Sequence, residues 1–427
     1  MNFRSFLNDL DERKELVHVT ERVSPKFEIA RRLKESVDPF LFEKVHGGEM
    51  KVAGNIFGSR DRIARGLEVD REHLIDKMRE SLSNPKYPNL SSEGPVQEVI
   101  EEDVNLHELP ILKHYENDGG PYVTSGIIVA EDLEGNRNLS FHRLQQIADD
   151  RFAVRLVPRD LHRIFRESED EGRSLEIAAV LGGGVGLALA AATSASYDVD
   201  EYGIAGALAG ELELTSCQSV DLEVPARAEI VTEGKLLAGE RVSEGPFTDI
   251  TGTYDVVRQQ PVFQVDCITR RKDAIYPSIL PGGPEHQLLM GLPREPIIFE
   301  ETEKVADIRD VALTPGGSGW LHAVVSINKK EEEDGRRAVE AAFKAHSSLK
   351  HVVVVDGDID IYDPEEVEWA IATRFRADRD AVIKSGVEGS SLDPTADPKT
   401  ELGSKMGIDA TKDLDNLDKF ERAQIPE

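Results

Sequence analysis

The sequence predicts an α+β protein of two or three domains. The chain has 427 residues, more than one hydrophobic core usually organises. Its middle part is dominated by β-branched runs separated by Gly, Pro and Asp turns, which is typical of an antiparallel sheet or barrel. Its two ends instead alternate strand-like and helix-like segments. These changes of pattern indicate separate α/β and β-rich regions.

Residues 1–95 are predicted to form an amino-terminal α/β region. The segments "SFLNDLDERKEL" and "REHLIDKMRESL" have the apolar spacing of helices, while "LVHVTERV" and "KVAGNIFG" are typical of short strands. The stretch "SNPKYPNLSSEGP", rich in Pro, Ser and Asn, reads as a linker. We therefore expect the first domain boundary there.

Residues 96–305 are predicted to be the β-rich domain, with strands such as "YVTSGIIVAED" and "QPVFQVDCITRR". The apolar run from Ile177 to Ala192 is shorter than a membrane span needs, and it contains several glycines. Its "GGGVG" lacks a convincing dinucleotide-loop context. We interpret this run as a buried strand, a glycine turn and a helix.

Residues 306–427 are predicted to be a carboxyl-terminal α/β domain. The segments "WLHAVVSINKK", "DGRRAVEAAFKAHSS", "KHVVVVDGDI" and "PEEVEWAIATRFRA" alternate strand and helix. The run "DGDID" is interpreted as a strand-end turn, because it lacks the glycine and final Glu of a calcium loop. The polar stretch from "SGVEGSSLDP" onward is expected to run over a neighbouring surface or subunit.

The charge of the chain argues against two classes of partner. It has 51 basic and 81 acidic residues, a formal charge of −30, which repels nucleic acid and anionic membranes. We therefore expect no nucleic-acid partner and no membrane partner. The acids are spread along the chain, which indicates solvated faces, and a high-salt cytosol is the alternative interpretation.

The cysteines and the amino terminus point to a cytoplasmic protein. Cys217 and Cys267 are too few for a disulfide framework or a cysteine-based zinc site, so a reducing compartment is expected. The segment "MNFRSFLNDLDERKELVHV" carries charges every few residues and lacks the apolar core of a signal peptide.

The stretch "GNRNLSFHRLQQI" carries candidate binding groups. If it is extended, Asn138, Ser140 and His142 share one face of a strand. Arg143 then projects from the other face, and a guanidinium fork is well shaped to bind a carboxylate. The alternative is an edge strand with a surface Arg.

Two further stretches carry acids beside constrained backbone. In "DEYGIAGALAGE", Glu201 is either a helix-start acid or an oxygen ligand for a hard metal ion. In "SEGPFTD", Glu244 and Asp249 bracket a Gly-Pro-Phe that cannot lie inside a helix. By itself this second stretch is typical of a surface turn, and the alternative is a rigid loop that aims both acids at a reacting centre.

Taken in order, several segments resemble the UbiD family of prenylated-flavin-dependent decarboxylases. They are "YVTSGIIVAEDLEGNRNLSFHR", "EYGIAGALAGELELTSCQSVDLEVPARAEIVTEG", "SEGPFTDITGTY", "VVVVDGDIDIYDPEEVEWAIATRF" and "GSSLDPTADPKTELGSKMGIDAT". The resemblance implies a central split β-barrel, similar to flavin-reductase folds, that holds the cofactor. It also implies flanking amino-terminal α/β elements and a carboxyl-terminal α/β domain that forms a homo-oligomer, dimer or hexamer.

The resemblance implies non-oxidative, reversible decarboxylation of an α,β-unsaturated or aromatic acid with prenylated FMN, which a flavin prenyltransferase supplies. Carried onto this sequence, the family's catalytic triad falls on Arg143, Glu244 and Asp249. Arg143 would hold the substrate carboxylate and Glu244 would orient its guanidinium. Asp249 would be the general acid that protonates the carbon left by CO2.

The resemblance also implies a divalent metal, usually Mn2+ with K+ nearby, that bridges the flavin phosphate. Asn138 and Glu201 match two metal ligands, and Asp160 stands where the family usually has His. Lys350 is matched to a phosphate-binding Lys. The remaining residues expected at the cofactor are Ser140, Phe141, His142, Arg143 and Arg159.

The stretch "RLVPRDL" is similar to the archaeal branch of the family, which converts trans-anhydromevalonate 5-phosphate to isopentenyl phosphate in a mevalonate pathway. A substrate phosphate needs cationic partners, for which His142, Lys350 and Arg159 are candidates. One alternative is a 4-hydroxybenzoate-type (polyprenyl) aromatic acid decarboxylase of quinone biosynthesis. Another is a non-catalytic flavin-binding or assembly paralogue. The stretch "YPSILPGGPEHQLLMGL" is expected to line the pocket for either acid.

Overall fold

The computed structural model describes residues 1–210, 212–397, 399–423 and 425. The chain divides into two compact units, Met1–Leu289 and Met290–Glu427. Helices and strands are interleaved along the chain, and its sheets contain both antiparallel and parallel pairs, which confirms the predicted mixture of α and β structure. The predicted three-part division remains a prediction.

The first unit contains many short strands and a smaller set of helices. The strands are β1 (Val17–Val23), β2 (Phe40–Val45), β3 (Lys51–Gly54), β4 (Asn89–Leu90), β5 (Val99–Glu101), β6 (Tyr122–Val123), β7 (Ile127–Glu131), β8 (Arg137–Phe141), β9 (Leu144–Gln146), β10 (Arg151–Val154), β11 (Leu175–Leu181), β12 (Glu213–Ser216), β13 (Glu223–Pro225), β14 (Ile230–Glu244), β15 (Phe247–Thr248), β16 (Tyr254–Asp255), β17 (Arg258–Arg270) and β18 (Ile275–Ser278). The helices are α1 (Phe3–Glu12), α2 (Glu28–Glu35), α3 (Arg60–Gly66), α4 (Leu74–Ser83), α5 (Asp160–Asp170), α6 (Val185–Ala192), α7 (Glu201–Ala209) and, across the division between the units, α8 (Pro284–Gly291).

The amino-terminal helices and strands form where the apolar spacing predicts them. In α1 the buried residues are Phe3, Phe6, Leu7 and Leu10, which lie on one face of a helix, and the Asn2 side chain caps its amino end. Strands β1, β2, β3 and β18 pair in that order to form a small sheet. The predicted α/β character of this region is therefore confirmed.

The largest sheet has the strand order β6-β9-β10-β17-β14-β11-β7-β8, with β5 added to β17. Only Thr124–Gly126 separates β6 from β7, and only His142 and Arg143 separate β8 from β9. The two ends of this sheet are therefore joined by very short connections, so the sheet must curl until its ends approach each other. His142 and Arg143 lie at this closure.

The run that contains "GGGVG" forms a strand, a turn and a helix, as predicted. Gly182 and Gly184 have φ of +84° and +92°, a region that favours glycine, and they connect β11 to the buried α6. A Cβ at Gly186 would lie 3.0 Å from Ala209, so the small residue allows α6 and α7 to pack closely. None of the helices in the described part of the chain is long and apolar enough to cross a membrane.

The second unit is a mixed sheet with helices. Its elements are β19 (Ile308–Leu313), β20 (His322–Ile327), β21 (His351–Asp356), β22 (Ala381–Glu388), β23 (Leu402–Ala410), α9 (Glu295–Glu303), α10 (Asp334–Ala345) and α11 (Pro364–Arg374). The strand order is β19-β20-β21-β23-β22, and β20, β21 and β23 are parallel. This confirms the predicted alternation of strand and helix. The "DGDID" run is a strand-end turn, and its Asp356 and Asp358 accept hydrogen bonds from the buried Arg374.

The prediction that the carboxyl-terminal stretch runs over a neighbouring surface is wrong for β22 and β23. Strand β23 is inserted between β21 and β22 and pairs with both. Its "LGSKMGIDA" buries few apolar side chains, so its composition resembles that of a loop. Main-chain hydrogen bonds hold the strand in the sheet, and because almost every residue type can form them, residue composition does not predict them.

Candidate active site

Two of the predicted catalytic residues form a buried ion pair. The Nε and Nη2 groups of Arg143 donate to the two carboxylate oxygens of Glu244 over 2.8 and 3.0 Å. The Arg143 side chain is 8% exposed and the Glu244 side chain is fully buried. A paired, charge-assisted arrangement of this kind fixes the plane of the guanidinium. Glu244 therefore orients Arg143.

Asp249 contacts the same guanidinium from another side. The Nη1 group of Arg143 donates to Asp249 Oδ2 over 3.0 Å. The Asp249 side chain is 22% exposed, more than either partner. Its Oδ1 accepts the amide N–H of Ile250 at 2.7 Å. The structure thus brings together the three residues that the sequence predicts as catalytic.

The "SEGPFTD" stretch is an anchored connection from β14 to β15 in which Glu244, Phe247 and Thr248 are buried, so the interpretation as a surface turn is wrong. Gly245 has φ of +101°, which favours glycine. The Gly119 amide donates to the Pro246 carbonyl at 2.7 Å, and the Thr248 amide donates to the carboxylate of Asp118 at 3.0 Å. These bonds hold the loop from its outer side. Its two acids are therefore aimed by the fold.

The Arg143 guanidinium is also stacked on an aromatic ring. Its Cζ lies 4.6 Å from the centre of the Phe247 ring, which in turn lies 4.5 Å from the ring of Tyr122. The Tyr122 hydroxyl donates towards Glu244 Oε1 over 3.1 Å. Neither aromatic residue was predicted at the site. Phe247 lies inside the "SEGPFTD" stretch, so only its position next to the two acids could have indicated its role.

A third carboxylate, absent from the sequence prediction, binds Arg143. Asp255 Oδ2 accepts from Arg143 Nη2 at 3.0 Å and lies 3.7 Å from Arg155 Nε, while its Oδ1 contacts Arg258. Burial acts to raise the pKa of Asp255, but the hydrogen bond from Arg258 and the charges of Arg143 and Arg258 hold it below its ordinary value. Asp255 is therefore ionised, and it interacts with three arginines. No sequence motif marks it, because Arg155 comes from a distant strand.

His286, on α8, interacts electrostatically with Asp249 and Arg143. The Gly282 amide donates to His286 Nδ1 at 3.1 Å, so this nitrogen carries no proton. Burial lowers the pKa of His286, and the charges of Asp249 and Arg143 act on it in opposite directions. A neutral imidazole therefore lies within electrostatic range of Asp249. It belongs to the "YPSILPGGPEHQLLMGL" stretch, which the sequence predicts to line the pocket.

The neighbouring residue Glu285 ties α8 to the amino-terminal region. Its carboxylate accepts the amide N–H of Phe57 at 2.8 Å. Burial raises the pKa of Glu285 to about 7. The helix that carries His286 is therefore anchored by an acid that gains its charge close to neutral pH.

We expect Glu285→Gln to weaken the pH dependence of stability. The unfolded chain loses this proton near the ordinary value of 4.5, whereas the folded chain keeps it up to about 7. The stability that the neutral Glu285 side chain contributes is therefore fully present below the unfolded-state pKa of 4.5, and it is lost as the pH rises through the folded-state pKa of about 7. The unfolding midpoint of the wild type should fall more between about pH 5 and about pH 8 than that of the variant. Glu134→Gln, at an exposed loop, is the control, and an equal fall in both proteins would contradict the assignment.

The residues predicted to bind a metal lie around a buried carboxyl group. Glu201, the first residue of α7, accepts from Asn138 Nδ2 at 3.2 Å and from the Leu139 amide at 2.9 Å. Burial raises the pKa of Glu201 to about 8, and the charges of Asp200 and Asp160 add to the rise. The carboxyl oxygens of Glu201 lie next to the Asn138 amide, and oxygen donors of this kind suit a hard cation, which would displace the proton of Glu201. Among the described residues, no cluster of three His, Cys, Asp or Glu forms a complete metal shell, so such a site depends on Asn138.

The predicted polar face of β8 is confirmed. Ser140 Oγ lies 3.0 Å from both Asn138 Oδ1 and His142 Nε2, and His142 Nδ1 donates to the Arg155 carbonyl at 2.8 Å. Burial lowers the pKa of His142 to about 4. His142 is therefore neutral at neutral pH, and its interpretation as a cationic partner for a phosphate is wrong. Phe141, which follows Ser140, is half-buried.

The two remaining cationic candidates have different surroundings. Arg159 is the exposed N-cap residue of α5, so its guanidinium lies at the amino end of this helix. Lys350 belongs to the second unit, where its Nζ donates to Asp393 at 2.9 Å and to Thr395. Its match to a phosphate-binding Lys remains a prediction.

Comparison with known families defines the class of protein that has this fold and site. Three family models match consecutive parts of the chain. They are described as the amino-terminal, Rift-related and carboxyl-terminal domains of 3-octaprenyl-4-hydroxybenzoate carboxy-lyase, and they match residues 7–82, 89–284 and 287–410. The chain therefore belongs to the UbiD family of carboxy-lyases.

Individual relatives are similar over their whole length. The chain is 45% identical to an anhydromevalonate phosphate decarboxylase of Methanothermobacter thermautotrophicus, over 99% of this chain and all of that protein. It is 46% identical to one of Methanosarcina mazei, over all of both chains. A solved structure of the UbiD-class enzyme HmfF from Pelotomaculum thermopropionicum with FMN superposes with a TM-score of 0.98 at 40% identity, covering 100% of this chain and 98% of that one.

Proposed function

We propose that this protein decarboxylates trans-anhydromevalonate 5-phosphate to isopentenyl phosphate, reversibly and without net oxidation, with prenylated FMN as cofactor. The observation that carries the proposal is the buried Arg143–Glu244 pair, which has Asp249 on the same guanidinium. The full-length similarity to two archaeal anhydromevalonate phosphate decarboxylases supports the choice of substrate. HmfF, whose structure is so similar, has also been solved with prenylated FMN.

In this reaction the protein residues bind the substrate and move a proton. When bound, prenylated FMN supplies the electron sink for the pair released as the bond to CO2 breaks. Arg143 binds the substrate carboxylate and Glu244 keeps its guanidinium in plane. Asp249 gives a proton to the carbon that CO2 leaves, and it removes that proton in the carboxylating direction.

The cofactor proposal includes a divalent cation, Mn2+ or a similar ion, with K+ nearby. Its ligands are Asn138, Asp160 and Glu201, because these residues supply oxygen donors around a buried carboxyl group. Ser140, Phe141, His142 and Arg159 would bind the flavin and its phosphate in the first unit, and Lys350 is a separate candidate for a phosphate contact in the second unit. We expect Glu201→Gln to lose bound metal in elemental analysis, whereas Glu134→Gln keeps it. Equal metal content in both variants would contradict the ligand set.

The test of the substrate uses holoenzyme produced together with a flavin prenyltransferase, the proposed cofactor supplier. We expect CO2 and isopentenyl phosphate from trans-anhydromevalonate 5-phosphate, and no CO2 from 4-hydroxybenzoate. The opposite result would favour the aromatic acid decarboxylase. A purified protein without the absorbance of a bound flavin would contradict the cofactor assignment. Bound flavin without CO2 release from either acid would favour the non-catalytic flavin-binding or assembly paralogue.

The proposal extends to fold and assembly. We propose that the curled sheet of the first unit is a split β-barrel that holds the flavin, and that the protein is a cytoplasmic homo-oligomer, dimer or hexamer. The short closures at His142 and Arg143 support the barrel. An evolved dimeric form of HmfF has been solved, which supports the capacity of this fold to form oligomers. Light scattering after size-exclusion chromatography measures the subunit number, and a monomer would contradict it.

A further inference from the structure

The hydrogen bonds of Arg143 leave little of its guanidinium free. An arginine has five N–H donors. Nε and Nη2 bind Glu244, Nη2 also binds Asp255, and Nη1 binds Asp249. Within the described residues, the remaining donor is therefore the second N–H of Nη1. The outer edge of the guanidinium, between Nη1 and Nη2, is closed on its Nη2 side by Asp255.

We infer that Asp255 is a positioning residue for the decarboxylation. It occupies Nη2 of Arg143, so that the substrate carboxylate meets this arginine through Nη1 alone. The inference rests on the proposed function, because it concerns how Arg143 meets the carboxylate of the substrate. It assigns to Asp255 an effect on the reaction through Arg143, without contact with the substrate.

Asp255 is held rigidly enough for this task. Strand β16 pairs with β15 so that Asp255 lies opposite Phe247, the residue on whose ring the guanidinium is stacked. Its Oδ1 accepts the Val256 amide at 2.8 Å and contacts Arg258. The Asp255 side chain is 13% exposed, against 22% for Asp249. Asp249 is thus the more exposed of the two acids.

The negative charge of Asp255 also affects the rate of decarboxylation, because it sets the net charge around Arg143. The charged groups of the cluster are the guanidinium groups of Arg143, Arg155 and Arg258 and the carboxylates of Glu244 and Asp255, because Asp249 is neutral when it acts as the general acid. One positive charge is therefore left, and the substrate carboxylate balances it. Decarboxylation turns that carboxylate into neutral CO2. Extra positive charge would stabilise the ground state more than the transition state and would slow the step.

The test separates binding from turnover in Asp255→Asn holoenzyme. We expect KM to fall by about threefold and kcat to fall by about tenfold or more, because Arg143 gains unbalanced charge and loses its fixed position. The saturated analogue 3-methyl-5-phosphooxypentanoate should bind the variant more tightly in calorimetry. Asp255→Glu should restore part of kcat, and Asp266→Asn, at an exposed position on β17, should change neither constant.

A second variant keeps the inference testable if Asp255→Asn does not fold. Arg258→Gln removes one positive charge beside Asp255, so we expect KM to rise, opposite to the change in Asp255→Asn. Unchanged constants in these variants, or weaker binding of the analogue by Asp255→Asn, would overturn the inference. Failure of the proposed function is visible separately, as a wild-type holoenzyme that releases no CO2 from trans-anhydromevalonate 5-phosphate. In that case the wild type and Asp255→Asn are compared with 4-hydroxybenzoate instead, provided that the wild type decarboxylates or binds it. If the wild type binds neither acid, both the proposed function and the inference about Asp255 are overturned.

Discussion

Arg143→Ala is expected to lower kcat/KM by about a thousandfold or more, because the variant loses the group that binds the substrate carboxylate. It also leaves the fully buried Glu244 without its counter-charge, which should lower the free energy of unfolding by about 3–5 kcal/mol. CO2 release measures the first effect and denaturant unfolding measures the second.

Two further variants separate these effects. Arg143→Lys keeps the charge beside Glu244 but cannot form the paired hydrogen bonds, so it should recover stability more than activity. Glu244→Gln should abolish turnover while the protein remains folded, since the amide no longer balances and orients the guanidinium. Arg173→Ala, at an exposed arginine, is the matched control. Near-normal turnover in Arg143→Lys would contradict the paired-contact role.

Asp249→Asn is expected to lower kcat by about a hundredfold to ten-thousandfold, the usual contribution of a general acid. The amide has nearly the same shape and still accepts from Arg143 Nη1, so substrate binding should change little. It has no acidic proton to give to the carbon. The measurements are CO2 release and, in D2O, the rate of deuterium incorporation into the product.

Asp266→Asn is again the control, because this exposed aspartate makes the same chemical change away from the site. If Asp249→Asn released CO2 at a near-normal rate, Asp249 would not be the general acid. If CO2 release persisted while deuterium incorporation slowed, the loss of CO2 and the protonation would be separate steps, with Asp249 acting only in the second.

Local sequence patterns predicted much of the fold. Apolar spacing predicted α1 and the alternating strands and helices of the second unit, and the polar alternation of β8 predicted that Asn138, Ser140 and His142 share a face. These features depend on neighbours in the chain. Strand β23 was not predicted, because main-chain pairing with distant strands holds it in the sheet.

Some residues of the candidate site could likewise be identified from the sequence, and others could not. The resemblance to the family identified Arg143, Glu244 and Asp249, which the fold brings to one guanidinium. It did not identify Asp255 or His286, because neither belongs to a matched catalytic motif. The cationic interpretation of His142 failed because burial, which depends on the whole fold, sets the charge of an imidazole.

The sequence by itself determined the mixture of α and β structure, the order of the motifs and the three residues expected to act on the substrate. Only the tertiary structure decided that "SEGPFTD" is an anchored connection from β14 to β15 and that Asp255 competes for Arg143. The physical reason is that hydrogen bonds, desolvation and charge balance depend on distances between residues far apart in the chain. Those distances exist only after the sheet has curled and brought β8, β14 and β16 together.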